Sequence, residues 1–164
     1  MSSISERLFN LLLNKLSSSN NKLTGELIEE FFGLFGEIWL DCLMLINERT
    51  IKKLTTSSGK YLVKVFSEKI LFKEQKSKNN SARIEYHYCL VNGNYCNCIQ
   101  FLYDGLIQDE LLWCKHLIAA KLALAMGRYE NILIDDQEYN EICMNTIMKF
   151  QHIDLIIQNV PEII

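Results

Sequence analysis

Proline is almost absent from this 164-residue chain; the one instance, Pro161, marks a loose C-terminal tail. Long hydrophobic runs are lacking too. The longest, FFGLFGEIWLDCLMLI at 31–46, has sixteen residues and contains Glu37 and Asp41. It is too short and too charged to span a bilayer and belongs in a soluble core, so no membrane partner is expected. The N-terminal MSSISERLFNLLLNKL carries Glu6 and Arg7 ahead of a short apolar run and has no small-residue cleavage site, which predicts an amphipathic helix and not a secretion signal. No internal repeat is visible. The sequence offers no Ser-His-Asp set, phosphate loop or paired acidic cluster of defined geometry, and Asp135 and Asp136 read as helix-start residues. A non-catalytic protein is expected.

What is present is ordinary for a folded chain. Hydrophobic residues make up 49% and charged residues 23%, a balance that excludes wholesale disorder, and the length suffices for one domain with a real core. The net charge is only −3, but it is unevenly placed. Between Arg49 and Arg83 ten basic residues (Arg49, Lys52, Lys53, Lys60, Lys64, Lys69, Lys73, Lys76, Lys78, Arg83) face only Glu68 and Glu74, a net of +8 that leaves −11 for the remainder. A basic face set against acidic helices is expected.

Periodicity divides the chain into a helical region at 1–48, a β-hairpin and metal-ligand region at 49–127 and a second helical region at 128–164, together one compact domain. Ile4, Leu8, Leu11, Leu12 and Leu16 have near-helical spacing, and SSSNN at 17–21 ends that run. Thr24 is placed to cap a second helix running to Gly36, with 37–47 helical again and Gly33 and Gly36 bending or breaking the region. From Thr50 the period changes. TIKKLTTSSGKYLVKVFS has β-formers on both sides of SSG, so 49–56 and 60–67 are predicted to pair as a hairpin. KEQKSKNNS at 73–81 is a polar connection and ARIEYHYCLV at 82–91 a third strand. NGN at 92–94 is a turn with Gly93 free to take positive φ, which puts Cys96 and Cys98 at the start of the next strand. The second half is expected to be helical: KHLIAAKLALAMG ends at Gly127, a natural left-handed cap, and DDQEYNEICMNTIMKF opens with acidic residues.

Six cysteines in a chain of this size need not be a disulfide framework, and metal binding is the better use for the clustered ones. Cys96 and Cys98 have one residue between them, and Cys114 and His116 repeat that spacing after fifteen intervening residues. Four such donors are what a tetrahedral structural zinc site requires. In an extended chain i and i+2 share a face, so Cys96 and Cys98 can converge on one ion if they lie on or beside a strand. In a helix i and i+2 are about 200° apart, so Cys114 and His116 must straddle a helix start, with Cys114 in the loop and His116 in the first turn. Lys115, between them, could offset the −1 of three thiolates, an imidazole and Zn2+. Four protein ligands leave no place for water, which makes the site structural and not hydrolytic. The alternative is four small core residues in an orderly pattern. Cys42, Cys89 and Cys143 sit among apolar neighbours and read as small buried hydrophobes.

C-x-C followed by C-x-H, reached through strands and leading into an apolar helix, resembles the SWIM zinc-finger family, and 95–126 match that pattern with no ligand missing. LFGEIWLDCLMLI, TIKKLTTSSGKYLVKVFS, YHYCLVNGNYCNC and LWCKHLIAAKLALAMG extend the likeness over roughly residues 30–130 to the small SWIM-domain subunits of Shu complexes. The resemblance implies an α+β fold in which a small antiparallel sheet meets a zinc-anchored helix, the SWIM ββα unit, flanked by N- and C-terminal helices. It implies one structural Zn2+ on Cys96, Cys98, Cys114 and His116. It also implies a nuclear, non-catalytic factor that pairs with a RecA-type recombinase paralogue in a heterodimer or larger complex and supports recombinase filaments on single-stranded DNA.

Several residues carry two readings. His87 and Cys89 in YHYC read as an ordinary strand histidine and buried cysteine, with support of the metal ligands or service as alternate ligands the other reading; His152 is expected to face solvent. Lys52, Lys53, Lys60 and Lys64, with Tyr61 and Phe66 among them, could grip single-stranded DNA, could meet a partner's acidic surface, or could guard a solvated sheet edge. Helix 115–127, with Ala119, Ala120, Ala123 and Ala125, reads as central core. Phe31, Phe32, Phe35, Ile38 and Trp39 read mostly as core, with any exposed remainder a partner surface.

Overall fold

The computed structural model describes residues 4–47, 51–66, 86–102 and 113–157, with side chains to Thr146. The polar connection at 73–81, the basic residues Arg49, Lys69, Lys73, Lys76, Lys78 and Arg83, the start of the strand expected at 82–91, the His152 side chain and Pro161 lie outside that set.

Three helices open the chain. Helix α1 (Ile4–Ser18) buries Phe9, Leu12 and Leu16, which share one face. Ile4, Leu8 and Leu11, expected inside, are exposed instead: the helix has two apolar stripes, and the one carrying the bulky Phe9 ring takes the core. Helix α2 (Gly25–Phe35) is capped as expected, Thr24 Oγ1 accepting from Leu27 N–H at 3.3 Å. Gly33 lies within α2 without breaking it. The break falls at Gly36, whose φ of 59° brings its N–H to Phe32 O at 2.7 Å and turns the chain into α3 (Ile38–Asn47). Phe31 stacks on Trp39 at 4.7 Å, while Phe9 meets Phe35 and Trp113 edge-on at 5.0 and 5.1 Å. Phe31 and Trp39 are fully buried, Phe35 and Ile38 partly so, and Phe32 is exposed.

The hairpin forms as the spacing predicts, from β1 (Ile51–Thr56) and β2 (Tyr61–Phe66), with Gly59 at φ 84° in its turn. Strand β3 (Tyr86–Leu90) follows, then a 3-10 turn at Val91–Gly93 and the two-residue β4 (Tyr95–Cys96). The positive φ expected of Gly93 belongs to Asn94, at 51°; asparagine enters this left-handed region more readily than other residues with a side chain. Asn94 Nδ2 donates to Glu6 Oε1 at 2.9 Å, and its Oδ1 accepts from Lys121 Nζ at 2.6 Å, tying the turn to α1 and the later helix. Helix α4 (Lys115–Met126) ends at Gly127, φ 67°, and α5 spans Asp136–Ile157.

Between them lies an element the sequence reading missed. Residues 130–134 form β5 (Glu130–Ile134), which pairs in parallel with β1, so the sheet is mixed, in the order β4-β3-β2-β1-β5. The α+β architecture stands, with an added parallel edge to the expected antiparallel sheet. Register assigns the two faces. On one, Ile51, Val63, Val65, Cys89 and Cys96 pack under α4, whose buried residues His116, Leu117, Ile118, Ala119, Ala120, Leu122 and Ala123 point nearly all round. On the other, Leu54, Leu62 and Ile134 are covered by Tyr139, Ile142 and Cys143 of α5. Cys42 and Cys89 are buried as expected, whereas Cys143 is only half-buried at the rim of this second cluster. Among the described residues no helix is long and apolar enough to cross a membrane.

Candidate metal centre

Two backbone features build the centre. Strand β4 stops after Cys96 because Asn97 leaves the ladder: its N–H donates to Tyr88 O at 3.3 Å while its Oδ1 accepts from Tyr88 N–H at 2.9 Å. The side chain stands in for a strand residue and the main chain turns, so Cys98 lies just past the strand and not within it. Phe101 N–H donates to Cys98 Sγ at 3.3 Å, and Leu102 N–H to Cys98 O at 3.1 Å. Across from them Cys114 is the N-cap of α4, extended at φ −83° and ψ 160°, its side chain making no capping bond; its carbonyl accepts from Leu117 and Ile118, both at 3.1 Å. His116 follows in the first turn, as the i/i+2 geometry requires.

These elements bring together all four residues singled out in the sequence. One donor atom from each of Cys96, Cys98, Cys114 and His116 lies within 4.8 Å of every other, and the residues are between 0 and 6% exposed. Tetrahedral bonds of about 2.0–2.3 Å need donors that close together. His116 Nδ1 is buried without a hydrogen-bond partner, an orphan that metal ligation or its support would satisfy. The thiols are mutually dependent. Hydrogen bonds from Cys114 and then Cys96 hold Cys98 far below the usual thiol range, while burial, then hydrogen bonds with Cys96 and Cys98, pushes Cys114 well above it. Three sulfurs and an imidazole in a dry site suit zinc, and the donor set fits it.

Lys115, between two of the ligands, has its ammonium 3.3 Å from Asp41 Oδ2 of α3. Its carbonyl accepts from Cys42 Sγ at 3.4 Å, so the residue fastens the start of α4 to α3. His87 and Cys89 are more than ordinary strand residues. Cys89 pairs directly with Cys96 across β3 and β4, and the His87 ring packs on His116 with centroids 4.1 Å apart. Alternation in YHYC put both on one face, but their nearness to the ligands depends on pairing between β3 and β4. Asn97 was missed altogether, although its place between two ligands was a usable signal.

The four lysines separate. Lys53 lies on the α4 face with its ammonium over the Tyr61 ring at 4.6 Å and the Tyr129 ring at 5.7 Å. Lys60, at the hairpin tip, pairs with Asp136 at 3.5 Å. Lys52 and Lys64 are direct cross-strand neighbours on the other face.

A strand end and a helix start that converge in C-x-C and C-x-H order define a SWIM-type metal-binding domain. Comparison with known proteins agrees. The chain is 26% identical over 130 residues to a Danio rerio protein named zinc finger SWIM domain-containing protein 7, covering 79% of this chain and 83% of that one. It is 24% identical over 111 residues to the Homo sapiens protein of that name, covering 68% of this chain and 69% of that one. It is 36% identical over 53 residues to a Dictyostelium discoideum homologue, about a third of each chain. No family model matches the chain, and no solved structure does. The chain carries a SWIM-type set of Cys and His donors and is similar over most of its length to zinc finger SWIM domain-containing protein 7.

Proposed function

We propose that this chain is a non-catalytic, nuclear adaptor of homologous recombination and DNA repair. It pairs with a RecA-type recombinase paralogue and promotes or stabilises recombinase filaments on single-stranded DNA. The observation that carries the reading is the closed, buried cluster of Cys96, Cys98, Cys114 and His116 joining β4 to α4. It occurs in a chain similar along most of its length to SWIM-domain proteins of type 7; the recombination role is what the sequence resemblance to Shu-complex subunits implies. One Zn2+ on those four ligands has no open position for water or substrate, so it holds shape and performs no hydrolysis. The metal contributes folding free energy, and the surface it orders holds the partner.

The test is co-expression with candidate recombinase paralogues, followed by metal analysis of the purified complex. One zinc per chain in a stoichiometric complex is expected, and Cys114→Ser should lose zinc and partner together. A Cys114→Ser protein with full zinc content and normal co-purification defeats the reading. A second reading, a stand-alone DNA-binding module, draws on the adjacent Lys52 and Lys64. Single-stranded DNA binding by the chain together with failure to capture any recombinase paralogue would favour this second reading over the adaptor.

A further inference from the structure

The sheet face opposite the metal cluster is organised in rows. Strand register aligns Glu130, Lys52, Lys64 and Tyr88 across β5, β1, β2 and β3, and the next row outward pairs Phe66 with Tyr86. Inward of these, Ile132, Leu54, Leu62 and Leu90 belong to the cluster that α5 covers, and Tyr88 packs against the edge of that cluster. Lys64, Phe66, Tyr86 and Tyr88 are each half-buried, and the Lys52 side chain is 34% exposed. Lys64 Nζ lies 3.9 Å from the Tyr86 ring centroid and 5.8 Å from that of Tyr88; Phe66 meets Tyr86 edge-on at 5.5 Å, which props the ring upright.

Two lysines directly opposite each other on adjacent strands destabilise a sheet. Lys52 is offset by Glu130 at 3.1 Å. Among the described residues Lys64 has no carboxylate at salt-bridge distance, and burial, with Lys52 next, lowers its pKa despite Glu138. Such an arrangement favours an anion, and the aromatic faces beside it favour an anion that also carries flat, stackable groups. A bare acidic peptide satisfies only the lysines. A nucleic-acid single strand satisfies both, because phosphates take the lysines and unstacked bases take the rings.

We infer that Lys52, Lys64, Phe66, Tyr86 and Tyr88 form a docking platform for single-stranded DNA on the sheet face opposite the metal site. The choice of DNA rests on the recombination reading above; the platform rests on the sheet. Lys53 and Lys60 are left out, because one sits on the other face and the other is paired at the hairpin tip.

The test uses the full zinc-loaded chain and a fluorescent oligothymidylate of about 16 nucleotides, the upper end of what one small β-domain covers. Binding should weaken with salt. Lys64→Ala should reduce the slope of log affinity against log salt by about one. Tyr86→Ala should weaken binding about tenfold, and Tyr86→Phe should stay within about twofold of the parent because the stacking face is kept. Zinc content and partner co-purification, measured on the same preparations, should not change. Should Tyr86→Ala lose zinc, the salt slope of Lys64→Ala decides alone. Equal losses for Lys53→Ala and Lys64→Ala, preference for an acidic peptide or an oligouridylate, or no DNA binding by the zinc-loaded chain each overturn the inference. Normal partner capture alongside any of these leaves the adaptor reading standing, whereas DNA binding without partner capture removes that reading and keeps the platform.

Discussion

Zinc removal is the perturbation whose size follows most directly from the geometry. Without an ion, Cys96, Cys98 and Cys114 have chiefly one another as polar neighbours, and His116 Nδ1 is buried unpaired. One orphaned buried polar group costs about 1–3 kcal/mol, so the apo cluster is a weak point in an otherwise well-packed core. Because Cys114 caps α4 and Cys96 ends β4, loosening it frees the helix start from the sheet. Ion binding to the folded chain alone stabilises by about 2.7 kcal/mol when free zinc is about 100 times Kd. For a chain of this length that corresponds to a Tm rise of about 5–11 °C at about 2–4 °C per kcal/mol. The assay is thermal unfolding in metal buffers that step free Zn2+ through the picomolar to micromolar range, repeated with Cys98→Ser. Tm should climb with free zinc in the parent and much less in the variant. A Tm indifferent to free zinc throughout, in a chain shown to be folded, would mean that the four side chains hold no ion.

Other expectations test the surroundings of the site. Asn97→Ala strips the Tyr88 N–H of its side-chain acceptor and lets Cys98 drift, so zinc affinity should fall about 10- to 100-fold by competition with a chromophoric chelator, as when a supporting group is lost. Unchanged affinity would show that the turn is held by other means. Trp39→Ala removes a fully buried ring stacked on Phe31 and should cost about 3–5 kcal/mol in denaturant unfolding, with zinc stoichiometry kept in the folded fraction. Asp136 is held below the ordinary carboxylate range by the Ser58 hydroxyl and by Lys60. Its contribution is therefore present above the unfolded-state pKa and lost as pH falls through the lower folded value. Asp136→Asn should flatten the acid limb of a stability-against-pH curve without altering the neutral plateau's shape, and an unchanged limb would exclude that linkage.

The parts of the fold legible in the sequence were those that local chemistry decides. Thr24 as a cap, Gly127 as a left-handed stop and SSG as a hairpin turn each act within a few residues, and each was readable. The convergence of the two cysteine and histidine pairs was also readable, because i/i+2 geometry differs between strand and helix and only one placement of each pair lets them meet. What depended on distant partners was hidden. Strand β5 is five residues long and pairs with a strand almost eighty positions earlier, so no local turn announces it. Phe9 took the core face from Leu8 and Leu11 because Phe31, Phe35 and Trp113 assemble around it, which the spacing of α1 alone does not encode. Gly93 lost its expected role to Asn94 for a similar reason: Glu6 and Lys121, far off in sequence, hold the Asn94 side chain.

Strand β3 connects the two faces of the sheet. Its residues alternate, with His87 and Cys89 turned to the metal cluster and Tyr86 and Tyr88 to the row of lysines. Its register is fixed on one side by β2 and on the other by the Cys89 to Cys96 pairing and the two bonds from Asn97. A strand that slips by one residue exchanges its faces completely. An ion bound between β4 and α4 therefore does more than close a loop: by anchoring Cys96 it holds β3 in the only register that leaves Tyr86 beside Lys64. If the proposed platform binds DNA, zinc should be required for that binding although no metal ligand touches the strand.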